Sequence, residues 1–352
     1  MALGPIMADL DGSVLNPEDR EILLHPLIGG LILFSRNYES PEQLSELVAD
    51  IHALRHPRLL IGVDQEGGRV QRLRSGFTRL PALRVIGAEF DRDRRVGLTL
   101  AENCGWVMAS ELRAVGIDFS FAPVLDLGNE VSSVIGDRGF HHDPDAISWL
   151  AQAYMQGMSA AGMSAVAKHF PGHGSISADS HLETPVDDRE LVDIRMKDLI
   201  PFARLSRSGL TAIMPAHVIY PRVDPSPAGF SRLWLHDILR IELGFQGTIF
   251  SDDINMAGAA VGGDYPARAR AALAAGCDMV LVCNQRAGLV EVLQSLQVHG
   301  EPLAQVRLMR MHGRGAVTRP ALAGNPEWQR LSAQISSLDS NPELDLGGDL
   351  PA

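Results

Sequence analysis

Eight short apolar runs, each followed by polar punctuation and then an amphipathic helix, predict an α/β fold. The class expected is a single-domain (β/α)8 barrel of the TIM type with a peripheral C-terminal helix and a flexible tail. The runs are apolar on both faces, as parallel strands covered on each side must be. The length of 352 residues suits one large α/β domain as well as two ordinary ones. An open, doubly wound sheet uses the same alternation and is the runner-up.

The expected strands are Pro5–Leu10, Gly30–Phe34, Leu59–Val63, Asp118–Pro123, Ser164–Ala167, Ala212–Pro215, Thr248–Phe250 and Met279–Cys283. The helices between them carry their own signals. Ser40-Pro41-Glu42-Gln43 combines an N-cap, a first-turn proline and a capping-box partner, and Leu44, Leu47, Val48, Ile51 and Leu54 then line one face. Val96, Leu100, Cys104, Val107, Met108 and Leu112 do the same before Gly116, as do Ile147 to Met158 before Gly162. Ser231 caps a helix carrying Leu235, Ile238 and Leu239 that stops near Gly244. No linker rich in Pro, Gly or Ser interrupts the chain before residue 318. Residues 1–318 are therefore taken as the catalytic barrel and 319–352 as a peripheral segment, with the acidic stretch Asp339–Ala352 expected to be disordered.

Composition narrows the class. A formal net charge of −12 argues against nucleic acid or an anionic membrane surface as the main partner. Three cysteines without framework spacing, Cys104, Cys277 and Cys283, read as small core residues in a reducing compartment. The N-terminus has no basic region and reaches Asp9 early, so no secretory signal is expected, and no apolar run is long enough to span a membrane. The protein is expected in the cytoplasm.

Lys168 to His181 is the least ordinary stretch: Lys-His-Phe-Pro-Gly-His-Gly, then Ser-Ile-Ser-Ala-Asp-Ser-His. Pro171, Gly172 and Gly174 break any helix, so the stretch is expected to be a loop leaving the fifth strand. Three interpretations stand. It can be a solvated loop of satisfied histidines, or a metal site built from His169, His173, Asp179 and His181. It can also do acid/base work, with Asp179 orienting His181, whose unperturbed pKa is about 6.5. Gly172, Gly174 and the mostly small residues Ser175–Ala178, with little apolar anchorage beyond Ile176, are expected to let the segment move.

In such barrels the chemistry lies where the strands end at their C-terminal side. Those positions hold Asp9 and Asp11, Arg36 and Asn37, Asp64 to Arg72, Asp126, Lys168 and His169, His217, Asp252 and Asp253, and Asn284; Asp137 and Arg138 follow in the fourth loop. Carboxylates, arginines, a lysine and histidines around a cavity can hydrogen-bond the hydroxyls of a sugar. A metallohydrolase would normally place a His-x-His pair after the first strand, where Asp9-Leu10-Asp11 stands. The bland alternatives are a helix N-cap for Asp252, a surface ion pair for Arg138 and a structural role beneath the site for His217.

Six motifs carry a resemblance: Val63-Asp-Gln-Glu-Gly-Gly-Arg-Val-Gln-Arg72, Phe121-Ala-Pro-Val-Leu-Asp126, Lys168-His-Phe-Pro-Gly-His-Gly174, Asp179-Ser-His181, Met214-Pro-Ala-His217 and Phe250-Ser-Asp-Asp253. In this order and at this length they resemble glycoside hydrolase family 3, in particular its bacterial cytoplasmic β-N-acetylglucosaminidases of peptidoglycan recycling. Ile254, directly after the last of them, stands where leucine is usual and is the one departure from the pattern. The resemblance implies a single-domain barrel, no metal and no cofactor. It implies Asp252 as nucleophile, His181 as proton donor and acceptor, and Asp179 as the group that orients His181. Sugar-binding positions fall on Asp64, Arg72, Arg138, Lys168 and His169. The activity implied is retaining, exo-acting removal of terminal N-acetylglucosamine from GlcNAc-1,6-anhydroMurNAc fragments. Water is the default acceptor, with phosphate as the alternative. A metal-dependent hydrolase and a sugar-binding protein without turnover are the competing functions.

Overall fold

The computed structural model describes residues 2–128, 132, 134–176, 184–297, 301–315 and 317–338. Among these residues, eight parallel strands follow one another in chain order: β1 (Ile6–Ala8), β2 (Ile28–Leu33), β3 (Leu60–Val63), β4 (Phe119–Ser120), β5 (Ser164–Phe170), β6 (Ala212–Pro215), β7 (Thr248–Ile249) and β8 (Val280–Leu281). Each of β1 to β6 pairs with the next, and β8 returns to pair with β1 through Ile6 opposite Val280. The sheet curls until β7 and β8 meet at a bridge between Phe250 and Met279. Every residue of these eight strands is buried. The arrangement is TIM-like rather than doubly wound.

Each of the eight expected runs carries one of these strands, most of them shorter than the run. The fifth corrects the expectation. Lys168, His169 and Phe170 belong to β5 itself, with Lys168 opposite Met214 and Phe170 opposite Pro215, so the loop begins only at Pro171. The polar residues were read as the end of the strand because proline and glycine follow so closely. The later part of that loop, including Asp179 and His181, lies outside the described residues.

The helices start where their caps predict. Ser40 accepts from the Gln43 backbone N–H at 3.2 Å and opens the helix Pro41–Ala53. The Gln43 side chain, however, accepts from Glu39 N at 2.9 Å, so the reciprocal half of the box is displaced by one residue. Arg94–Ala114 and Pro144–Ala160 flank β4 and approach closely at two glycines. A Cβ on Gly105 would sit 2.1 Å from the Tyr154 carbonyl oxygen, and one on Gly157 would sit 2.0 Å from that of Glu102. The helix Leu233–Glu242 is π-wound, and Leu243 N donates to Ile238 O at 2.9 Å. The three cysteines are free and buried, as expected.

Two short helices, Arg319–Ala323 and Pro326–Ser336, pack against Arg94–Ala114 at the C-terminal end of the described chain. The expected single peripheral helix is thus a pair, and Asp339–Ala352 lies outside the described residues.

Inside the strands, Phe119, Phe121 and Phe250 meet with ring centroids 5.2–5.5 Å apart. Gly62 makes room for them, since a Cβ there would be 2.8 Å from the Phe119 ring. Phe119 is fully buried and, unlike Phe121, does not line the pocket described below. Phe119→Ala is therefore expected to cost about 3–5 kcal/mol of stability. Chemical denaturation should show the loss as a lower midpoint with an unchanged slope.

Candidate active site

The site begins with residue types that a buried position can hold only in pairs. Asp64 and Glu66 lie two apart on extended backbone, a spacing that turns both side chains to one side. Between them and the cation on β5 the fit is close. Lys168 Nζ donates to Asp64 Oδ1 at 2.8 Å and lies 2.6 Å from Glu66 Oε1. Arg138 grips Glu66 with both arms, Nε at 2.9 Å and Nη2 at 2.8 Å. Burial alone would raise the Glu66 carboxyl, but Arg138 and Lys168 outweigh it and hold it well below the usual carboxylate range. Burial likewise disfavours the Lys168 charge, yet Asp64 and Glu66 raise its pKa.

Asp126, after β4, secures the next pair of residues. It accepts from His169 N at 3.1 Å and from His173 N at 2.7 Å, and its Oδ2 lies 2.6 Å from His169 Nδ1. The ring of His169 is thereby fixed in rotation. Of the four residues considered for a metal, His169 and His173 are described: the His169 ring is bonded to Asp126, and His173 reaches that carboxylate through its backbone N–H.

After β7, Asp252 and Asp253 occupy different settings. Asp252 Oδ1 accepts from Asp253 N at 2.8 Å. No helix starts at Ile254, so the N-cap alternative for Asp252 does not hold. Asp253 Oδ1 accepts from Asn255 N at 3.0 Å and Cys283 N at 3.1 Å, tying β7 to β8. Burial pushes the Asp253 carboxyl up to about 8, against those two hydrogen bonds and with the help of Asp252 and Asp9. His217 is fully buried, and burial pushes its imidazole down, opposed by Asp252. On the far side Arg36 bonds Asp9 at 2.5 Å and Asn284 Oδ1 at 2.9 Å, closing a ring across β1, β2 and β8.

These groups gather about one pocket at the C-terminal mouth of the strands. Asp64, Lys168, His169, Asp252, Asp253 and Asn284 line it, with Phe34 and Phe121 as apolar walls. Arg72 follows the short hairpin of Gln65–Gly67 and Val70–Gln71, its guanidinium 5.9 Å from the Phe34 ring centroid. Arg138 is not the surface ion pair allowed by sequence, for it is 5% exposed and paired with a buried carboxylate. Glu66, Asp126 and Asp253 had been given no role, although the two-residue spacing of Asp64 and Glu66 was a readable signal. Asp179 and His181 fall outside the described residues.

The profile of the glycosyl hydrolase family 3 N-terminal domain matches residues 7–311. The chain belongs to glycosyl hydrolase family 3. It is 57% identical over 346 residues to a β-hexosaminidase of Thioalkalivibrio sulfidiphilus, covering 98% of this chain and 99% of that one. It is similar to the solved structure of NagZ from Neisseria gonorrhoeae in complex with N-trifluoroacetyl-D-glucosamine, at 45% identity and a TM-score of 0.92, over 97% of this chain and 99% of that one. A family 3 β-N-acetylglucosaminidase of Paenibacillus is 30% identical with a TM-score of 0.83; the match covers 95% of this chain and 67% of that one. The protein is an enzyme, a glycoside hydrolase of the β-N-acetylhexosaminidase group.

The Asp253 proton has a measurable consequence. The folded protein holds it up to about pH 8, whereas an unfolded aspartate releases it near pH ~3.9. The native state therefore binds more protons across that window, and stability falls as pH rises through it. Asp253→Asn keeps the acceptor oxygen and removes the proton. Its stability relative to the unsubstituted protein should rise steadily from pH 4 to pH 8 in denaturant titrations; a constant difference would show that Asp253 is ionised throughout.

Proposed function

We propose that this enzyme is a retaining exo-β-N-acetylglucosaminidase that removes terminal GlcNAc from GlcNAc-1,6-anhydroMurNAc muropeptide fragments during cytoplasmic cell-wall recycling. The observation that carries the proposal is the gathering of Asp252, Asp64, Lys168 and His169 around one pocket at the strand ends. The likeness to a structure holding an N-acylated glucosamine supports an amino sugar as the occupant. The catalytic unit is taken as residues 1–318, working as a monomer without cofactor, with 319–352 peripheral to it.

In this reading Asp252 attacks the anomeric carbon while the glycosidic oxygen takes a proton from His181, giving a covalent glycosyl-enzyme. Water then attacks the same carbon, passes its proton to His181 and releases Asp252, so that configuration is retained. Asp179 holds the imidazole in the productive tautomer and stabilises the imidazolium, as in a triad. The roles of Asp179 and His181 rest on the motif alone. Asp64, Arg72, Arg138, Lys168 and His169 serve the sugar hydroxyls, with the Lys168 ion network presenting donors and acceptors already desolvated and oriented.

Asp252→Asn is expected to keep the fold while turnover of p-nitrophenyl β-GlcNAc drops by several orders of magnitude. Near-normal rates in a folded Asp252→Asn protein would remove Asp252 from the mechanism.

His181→Ala separates acid catalysis from binding. An aryl leaving group needs little protonation, so glycosylation of the enzyme should suffer far less with the p-nitrophenyl substrate than with a sugar leaving group. Equal losses on both would leave His181 as a binding residue.

A further inference from the structure

The segment beyond the family match contacts the chain that follows the site hairpin. Residues 72–80 run from Arg72 to the start of the next helix and are held on two sides. On the inner side, Gln65 and Leu73 exchange a reciprocal pair of hydrogen bonds, Nε2 to O at 2.8 Å and N to Oε1 at 3.0 Å. Gln71 donates to Thr78 O at 2.9 Å and accepts from Leu80 N at 3.0 Å. The position of Thr78 is thus transmitted to the hairpin bearing Glu66 and to Arg72, whose backbone N–H reaches Asp64 O at 3.4 Å.

On the outer side the partners come from elsewhere in the chain. Glu111, 1% exposed on Arg94–Ala114, accepts from Thr78 N at 3.0 Å and from Thr78 Oγ1 at 2.5 Å. The same carboxylate accepts from Trp328 Nε1 at 3.0 Å, and Ser332 Oγ lies 2.7 Å from Thr78 Oγ1. Arg319 donates to Gly76 O at 2.6 Å and stacks 5.1 Å from the Phe77 ring. A buried carboxylate with several donors is a rigid junction, since each donor lost leaves its charge less compensated.

We propose, on the reading of Arg72 and Asp64 as sugar contacts, that the segment Arg319–Leu338 is a positioning element for substrate binding. Trp328 and Arg319 act as positioning residues that fix residues 72–80 through Glu111, Thr78 and Gly76. The segment touches no pocket-lining residue in these contacts, so its effect on the sugar is indirect. Its loss should loosen Arg72 while leaving Asp252 in place, and binding should suffer more than chemistry.

The test uses the full chain with Trp328→Ala, Trp328→Phe and Arg319→Ala. Hydrogen–deuterium exchange reports on residues 72–80, and kcat and KM are measured on p-nitrophenyl β-GlcNAc. In Trp328→Ala, exchange at 72–80 should rise and KM should increase about tenfold with kcat within about twofold. Trp328→Phe, which keeps the ring and loses the N–H, should fall between. Unchanged exchange at 72–80 in both Trp328 variants and in Arg319→Ala overturns the clamp itself. Raised exchange with an unchanged KM overturns the positioning role. An Arg72→Ala control whose KM matches the unsubstituted enzyme overturns the sugar-contact reading, and the positioning role falls with it. A Trp328→Ala protein that fails to fold leaves the decision to Trp328→Phe and Arg319→Ala, judged by the same two measurements.

Discussion

Lys168 carries a charge 1% exposed at the centre of a barrel mouth, and much of the site is arranged to tolerate it. A buried ammonium demands counter-charge, and two carboxylates answer it, one of them held in turn by a buried guanidinium. Breaking a pair of this kind costs about 3–5 kcal/mol, because what remains is an uncompensated charge in a dry place. The network thereby ties β3, its hairpin, the fourth loop and β5 to a common geometry. His169 follows directly on Lys168, so the ion network and the Asp126 bonds fix neighbouring residues of the same strand.

Two buried carboxyls at this mouth are driven in opposite directions, and their surroundings explain why. Glu66 meets two cations and stays charged; Asp253 meets two backbone N–H groups and two other aspartates, and keeps its proton. The same burial acts on both, so the difference comes from neighbouring charge. A carboxyl that remains neutral beside Asp252 spares that residue a second negative charge at close quarters.

Much of this was legible in the sequence for a physical reason. Strands buried on both faces must be apolar throughout, and the eight runs from Pro5–Leu10 to Met279–Cys283 stood out from their polar surroundings. The pocket residues Asp64, Lys168, His169 and Asp252 were legible because a parallel barrel exposes side chains where its strands end. The errors have equally definite causes. Lys168 to Phe170 were assigned to a loop because a lysine and a histidine inside a buried strand run against patterning, and only the carboxylates opposite them permit it. Arg138 was allowed a surface position because its partner Glu66 is 72 residues away, and sequence gives no sign of such a pairing. The contacts of Trp328 and Arg319 were invisible for the same reason, since neither sits in a motif and both act through distant residues.

The meeting of β7 with β8 carries one more implication. The backbone around Asp252 is pinned on both sides by the last strand, through Ser251 N to Met279 O at 2.8 Å and Ile254 N to Leu281 O at 3.1 Å. In a chain made from its N-terminus, Asp64, Glu66, Arg138 and Lys168 all precede the residues of this seam. Until residues 280–281 emerge, Asp252 has no neighbouring strand on that side to hold it. A chain cut short before residue 279 therefore lacks both the strand that flanks Asp252 and the pocket-lining residues Leu281, Cys283 and Asn284.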